Sequence, residues 1–499
     1  MSMVQRVAGY VRMHGVGYTL HRAGEMLSQR VLHTYDLRFR QERPDAAELA
    51  RQRANQPPAG LISVAVPVYN TRPAFLRALT ASLQAQTYQD WEAVLYDGCS
   101  TDAAAIAAMD SIGDQRIRVI HGMVNEGISG NTNRAIAQCR GGYIALCDHD
   151  DVLAEDALWR VAEAIVSHRP DMLYSDEDKL TEDGRFHTDP HHKPDFCPDN
   201  LRSGNYICHL MVIWREIIEG VGGLRPAFDG SQDHDLALRV AEVTQRICHI
   251  PRTLYHWRTV GTSMSHQQLS RCQQAAARAV TEHMGRIGWP GECTVEDGVL
   301  RLRYRVREDL RVAVIRVPEG AGYAFMNRAA REAEEELLLF VHASVGELPQ
   351  AHVQELLMYA QRDDVGAVTP LLHDRRGRVL HAGYALQKGR IVSRNAGLPR
   401  TAGGWHGMNR TSHNVMAVSA ACLMIRRDHF IPFDETWADG LGAVDWCLRL
   451  REKGLRCVYT PHAWALCRRP EMLSCFTEQE RLRRTWPDMK DDCSGRTDL

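Results

Sequence analysis

No apolar run in the 499-residue chain approaches the roughly 18–20 residues that a membrane-spanning helix needs. A secretory leader is not expected either, because Arg6, Arg12, His14 and His21 interrupt the apolar positions near the start. The fourteen cysteines include no close pair. The nearest, Cys139 with Cys147 and Cys467 with Cys475, are eight apart, which suits neither a zinc ribbon nor a disulfide framework. Charge of one sign is also missing: 60 Lys and Arg against 62 Asp and Glu leave −2, so nucleic acid is not an expected partner. With 44% hydrophobic and 24% charged residues, neither disorder nor a fibrous repeat is indicated. A cytoplasmic, globular, multidomain protein with free thiols is the expectation.

What is present begins with a basic extension, residues 1–58, with nine Arg against five acidic residues. Its apolar positions (Met3, Val4, Val7, Val11; Met26, Leu27, Val31, Leu32) have helical spacing, and Pro44 and Pro57-Pro58 punctuate its end. Two readings stand side by side: a helix packed on the body, or a basic face touching anionic lipid at the inner membrane surface.

Strands are expected at 61–68, 91–96, 117–120 and 143–147, with helices at 74–84 and 131–139 between them. Strands alternating with helices give a parallel α/β sheet, whose ligands sit at the carboxyl ends of its strands. Asn70, Asp97 and Asp148 each follow a strand directly. The chain also repeats itself. The segment from Asn133 to Asp148 matches that from Asn327 to His342, and Asp233–Arg239 matches Ala443–Arg449. In both copies a proline stands 12 residues after that arginine, at Pro251 and Pro461. Two copies make a tandem rather than a solenoid. The expected domains are 59–265 and 309–470, with a connector at 266–308 and a tail at 471–499.

Asp148-His-Asp-Asp151 ends an apolar strand. Three carboxylates within four positions repel one another unless a cation or partner neutralises them. All-oxygen ligation of this kind suits Mg2+ or Mn2+ completed by substrate phosphates; a solvated Asp-rich turn is the plain alternative. Asp97-Gly-Cys-Ser100 offers a carboxylate and a hydroxyl, and the Gly/Asn-rich loop running to Asn133 is suited to approach a ligand by its backbone.

In this order the motifs resemble family 2 glycosyltransferases of the GT-A fold, most closely the bacterial enzymes of O-antigen and capsule synthesis. The resemblance rests on Val66-Pro-Val-Tyr-Asn70, Asn125-Glu-Gly-Ile-Ser129, Asp148-His-Asp-Asp151, Tyr174-Ser-Asp-Glu-Asp-Lys179, Lys193-Pro-Asp195, Gly230-Ser-Gln-Asp-His-Asp-Leu236 and Leu254-Tyr-His-Trp-Arg258. It implies two tandem GT-A domains, nucleotide-diphospho-sugar transferase-like and Rossmann-related, the second degenerate, behind a helical extension. It further implies inverting transfer of a sugar from a nucleotide-diphosphate donor to a glycan or lipid-linked acceptor, with Mn2+ or Mg2+ as cofactor; the alternative is a non-catalytic carbohydrate- or partner-binding protein built from decayed GT-A domains. Carried over by residue, Asp233 is the general base. Asn70, Asp97, Ser100, Asn133, Asp148 and Arg258 face the donor, and Asp150 and His256 face the metal. Asp176, Asp178 and Asp235 stand on the acceptor side.

One departure is visible: the family usually has two acidic residues where this chain has Asp97-Gly98. The second copy departs further. Asp148, His149 and Asp150 correspond to His342, Ala343 and Ser344, Asp233 to Ala443, and His256 to Leu466. It is also shortened at its front and is expected to be catalytically dead. Trp405, His406, Trp437 and Trp446 are candidates there for stacking on sugar rings, against ordinary packing.

Overall fold

The computed structural model describes Thr19 and residues 34–260, 269–438, 440–469 and 476–490. The apolar spacings noted within 3–11 and 26–32 lie outside these, as do the side chains of Trp405 and His406. The chain divides into two compact units. The first is built from Gly24–Phe196 and Gly204–His283, the second from Cys197–Ser203 and the chain from Met284 onward.

In the first unit, β1 (Ile62–Val68) is buried at every position, as a central parallel strand must be. Its neighbours are β2 (Trp91–Asp97), β3 (Ile117–His121) and β4 (Tyr143–Leu146). The sheet continues through β5 (Val152–Leu153), β6 (Met172–Leu180), β7 (His187–His191), β8 (Met211–Trp214) and β9 (Ile247–Arg258). The spatial order is β3-β2-β1-β4-β8-β6-β9-β5, with β7 on β6. The four strands expected from sequence are present within a residue or two at each end. The sheet is mixed rather than wholly parallel. β8 runs antiparallel to β4 and β6, because it is entered from a long loop rather than from a crossover helix. β8 therefore begins at the edge where β4 ends. The region expected as an extension contributes helices Thr34–Glu42 and Ala46–Ala54, the latter capped by Asp45, which accepts from the Glu48 N–H.

The second unit repeats this plan in shortened form. Its sheet runs Val312–Val317, Leu337–His342, Cys422–Arg426, Val365–His373, Arg456–Leu466 and His413–Val415. The first five match β1-β4-β8-β6-β9 in order and direction. Only helix Tyr323–Glu332 separates the first two strands, so no counterpart of β2 or β3 exists. Duplication is equally plain in side-chain detail. Asp235 pairs with Arg239 at 2.7 Å and Asp445 with Arg449 at 3.0 Å, each one helical turn apart. Asn133 clamps the backbone of Leu224 by both N–H and C=O, and Asn327 clamps Phe433 in the same way. Trp446 is fully buried, stacked on Phe433 and donating to Ile431 O, so it packs rather than presents a face. Among the described residues every cysteine is free, and no helix is long and apolar enough to cross a membrane.

The second unit carries an acid liability. His381 accepts N–H bonds from Gly383 and Ser419 on Nε2, and burial pushes its pKa down to about 3. Burial and the charge of Arg394 do the same to His413, again to about 3. Both side chains take their proton first in the unfolded chain, at about 6.5. Stability is therefore lost as pH falls from there toward 3, by at most about 1.4 kcal/mol per pH unit for each. Urea midpoints should drop steeply between about pH 6 and 4. His381→Gln with His413→Gln should flatten that dependence; an unchanged slope would remove the explanation.

Candidate active site

The carboxyl ends of β1, β2 and β4 and the amino end of β8 share one edge of the first sheet. Asn70 turns the chain there in a left-handed conformation (φ 47°), which asparagine tolerates better than most residues. Its Oδ1 accepts the N–H groups of Thr101 and Asp102, and its own N–H donates to Ser100 Oγ at 2.8 Å. Asp97 accepts the Ser100 N–H at 2.9 Å and holds His121 Nδ1 at 2.9 Å. Asn70, Asp97 and Ser100 thus form one knot joining the ends of β1 and β2. His121, which carried no signal in the sequence, bridges Asp97 to Asp110, and these carboxylates raise its pKa.

The missing second acid has a steric counterpart. A Cβ on Gly98 would stand 2.2 Å from Asn131 Nδ2. Asn131 is fixed in turn, donating to Asn125 Oδ1 at 2.9 Å and accepting the Glu126 N–H at 3.2 Å. Gly98→Asp should therefore cost about 1–3 kcal/mol through overpacking. That amounts to a fall of several degrees in melting temperature, partly relieved by adding Asn131→Ala. A melting temperature unchanged by Gly98→Asp would show that the loop yields freely.

Behind β4 the carboxylates divide their tasks. Asp151 is fully buried, accepting Tyr255 O–H at 2.5 Å and the Arg258 N–H at 2.7 Å. Burial, together with the charges of Asp150 and Asp148, lifts its pKa well above the usual carboxylate range. Arg258 is buried too. Its Nε donates to Asp150 O at 2.8 Å, its NH1 to Glu182 O at 3.1 Å, and its guanidinium lies 4.9 Å from the centre of the Phe75 ring. It braces the turn that presents Asp148 and Asp150, both half-buried at the edge. Asp148 faces a residue that sequence reasoning passed over: His209 Nε2 lies 3.9 Å from Asp148 Oδ2. Donor atoms of Asp148, Asp151 and His209 all lie within 4.8 Å of one another.

Asp233 opens the helix Gln232–Val243. Asn205 donates to its Oδ2 at 2.7 Å and the Cys208 thiol approaches the same oxygen at 3.7 Å. Cys208, which approaches Asp233, directly precedes His209, whose Nε2 is 3.9 Å from Asp148, so one short stretch of chain lies against both carboxylates. Asp235, two residues on, points inward to Arg225 and Arg239 with no exposed surface. Despite the burial, which acts in the opposite sense, those arginines hold its carboxyl below the usual range. Asn133, expected at the donor, has its amide engaged by Leu224.

The acidic run of β6 forms a ladder with histidines. Asp176 meets His249 at 2.8 Å and His192 at 3.3 Å, and Glu177 meets Lys193 at 3.3 Å and His191 at 3.4 Å. Asp178 holds His256 at 2.7 Å and His187 at 3.0 Å, and accepts Tyr35 O–H at 3.0 Å. Burial works to raise these three carboxyl pKa values, yet the cationic and hydrogen-bonding partners hold all three low. The register of β6 with β9 pairs Asp178 with His256, so His256 sits with Asp178 and His187 and not in the Asp148 group. It lines, with Phe39, Phe75 and Arg258, a cavity of about 560 Å3.

With this geometry in view, residues 63–221 match the model of "Glycosyl transferase family 2". The chain carries a family 2 glycosyl transferase domain. It is 33% identical over 493 residues to the uncharacterized protein y4gI of Sinorhizobium fredii, covering 84% of this chain and 54% of that protein. It is also 33% identical over 495 residues to the O-antigen biosynthesis protein RfbC of Myxococcus xanthus, covering 84% of this chain and 38% of that one. The chain thus spans about half or less of these relatives. Among solved structures, S. aureus TarS 1-349 in complex with UDP-GlcNAc is 16% identical, with a TM-score of 0.36, covering 45% of this chain and 73% of that chain.

The transferase domain presents a donor set that fits a divalent cation: the half-buried Asp148 carboxylate with the His209 imidazole beside it, and Asp150, also half-buried, two residues on. When bound, such a cation neutralises charge on a diphosphate leaving group. The residues at the matching positions of the second unit, His342, Ala343 and Ser344, provide no such set. There His342 Nδ1 is taken up by Ser344 Oγ at 2.8 Å.

Proposed function

We propose that the chain is a cation-dependent inverting glycosyltransferase, moving a hexosyl or deoxyhexosyl group from a nucleotide-diphosphate donor to a glycan or lipid-linked hydroxyl in bacterial surface polysaccharide synthesis. The observation that carries this reading is that Asp233 and Asp148 flank the same two-residue stretch of a family 2 domain, Asp233 against Cys208 and Asp148 against His209. Inversion needs one carboxylate to take the acceptor proton while the opposite side stabilises the leaving group. Asp233, oriented by Asn205, suits the first task, and the Asp148–Asp150 turn braced by Arg258 suits the second. The knot of Asn70, Asp97 and Ser100 shapes the nucleoside side. Asp176, Asp178 and Asp235 support the acceptor side by fixing its walls rather than by direct contact.

The second unit is assigned a non-catalytic role, supported by Ala443 and Leu466 where the first has Asp233 and His256. Residues 34–58 include side chains packed on the first unit, Tyr35 and Phe39 among them; beside that packing, a peripheral contact of residues 1–58 with anionic lipid is proposed on their excess of arginine, and vesicle flotation of the full chain against one lacking them tests this. The main test is nucleotide release from UDP-, GDP- and dTDP-sugars with Mn2+ or Mg2+ against a chelator, which requires no known acceptor. Cation-dependent release from one donor is expected. No release together with no donor binding would overturn the reading.

A further inference from the structure

We infer that His209 is a ligand of the divalent cation at Asp148, in the place that sequence resemblance alone gave to His256. The inference rests on the transferase reading above and adds a residue to its site.

Topology brings His209 there. Leu146 of β4 pairs with Met211 of β8, so the residues just after β4 and just before β8 meet at the same edge. The backbone of His209 is held from both sides. Its N–H donates to Glu177 Oε2 at 3.1 Å, and its carbonyl accepts from Lys193 Nζ, a side chain with no exposed surface. The imidazole stacks on Tyr255, centroids 4.5 Å apart and 17° from parallel. Tyr255 O–H holds Asp151 and also accepts the Asp148 N–H at 3.1 Å. The His209 ring and the Asp148 backbone are therefore held by one tyrosine. The 3.9 Å between Nε2 and Asp148 Oδ2 is too long for a hydrogen bond. It suits two ligands of one ion, which lie roughly 3–4 Å apart when each is about 2.1 Å from the metal. Asp151, the third member of the cluster, already accepts Tyr255 O–H and the Arg258 N–H. That leaves Asp148 and His209 as the pair facing outward.

The duplicated unit supplies an independent control. Phe340, the counterpart of Leu146, pairs with Leu423, so Met211 corresponds to Leu423 and His209 to Ala421. The flanking segments agree without gaps, Met211-Val-Ile-Trp-Arg-Glu216 against Leu423-Met-Ile-Arg-Arg-Asp428. The histidine is absent from the unit in which the carboxylates are also absent. A residue serving only to pack β8 against its neighbours had no reason to disappear with them, since Asn327 and Asp445 persist.

An imidazole ligand also sets the preference of the site, because Mg2+ favours all-oxygen shells whereas nitrogen ligands favour transition ions. The test is direct Mn2+ binding, read by loss of the free-ion EPR signal, with the full chain and UDP, GDP or dTDP. His209→Ala should raise the Mn2+ Kd by about tenfold or more, the scale on which even outer-shell partners of metal ligands matter. His209→Asp should narrow the preference for Mn2+ over Mg2+. His209→Cys offers a soft thiolate and should bind Cd2+ with a sulfur-to-metal charge-transfer band that wild type lacks. That signature would not arise from a structural role. Mn2+ affinity within twofold of wild type in His209→Ala, or no such band in His209→Cys, would overturn the inference while wild-type nucleotide release left the transferase reading standing. Wild type that neither binds Mn2+ nor releases nucleotide would fell both.

Discussion

Asp233→Asn lowers turnover by about 10²–10⁴-fold while donor affinity stays close to wild type, the range that positioned general bases contribute. The substitution keeps the shape of the side chain and its contact with Asn205, because an amide oxygen can accept the bond that Oδ2 accepts now at 2.7 Å. What it removes is the capacity to take a proton as the acceptor hydroxyl attacks. A loss in kcat without a matching loss in donor binding is the mark of an interaction made only in the transition state. Donor binding is measured calorimetrically and turnover by nucleotide release in the presence of acceptor. Retention of more than a tenth of wild-type turnover would move the base elsewhere. Asn205→Ala should show a smaller loss of the same kind, since it frees the carboxylate to rotate without removing it.

The parts of this site that could be read from sequence share one physical property: each follows directly on a strong apolar strand. Strand ends are legible because burial on both faces demands continuous runs such as Ile62–Val68. Asn70, Asp97 and Asp148 accordingly lie at the edge where β1, β2 and β4 end. The side-chain tasks were less legible. Asn133 and Asp235 read as ligand-facing because they lie in motifs, yet both are engaged internally by Leu224, Arg225 and Arg239. A signal was available. Both persist as Asn327 and Asp445 in the copy that lost its carboxylates, which points to fold rather than chemistry. Motif order groups His256 with the acidic turn, whereas strand register sets it against Asp178. His209 carries no sequence signal because it lies in an irregular loop with no periodicity. Only the antiparallel pairing of β4 with β8 reveals its neighbour.

Removing the cation is the second large effect expected. A nucleoside diphosphate leaves as an anion, and two buried or half-buried arginines of the first unit, Arg258 and Arg225, are already engaged. Arg258, the arginine nearest the turn, is buried with its Nε and NH1 donating to the carbonyls of Asp150 and Glu182. Nor is Arg225 available, since it is committed to Asp235 and Glu282. On the transferase reading, leaving-group charge would then fall to a cation held at Asp148 and Asp150. Lewis-acid stabilisation of that kind is worth several kcal/mol, which corresponds to roughly 10³-fold or more in rate. Chelation should accordingly abolish nucleotide release, and Mn2+ should restore it. Asp150→Ala should lose activity to a similar degree and not regain it at raised Mn2+, while its melting temperature stays near wild type because the Arg258 bond is made to the Asp150 backbone and survives. Full activity in chelator would mean that the phosphates are neutralised by side chains that rearrange on binding, with Arg258 released from its carbonyls as the first candidate. Arg258→Lys would then become the decisive variant, since lysine keeps the charge but cannot brace two carbonyls from one planar group.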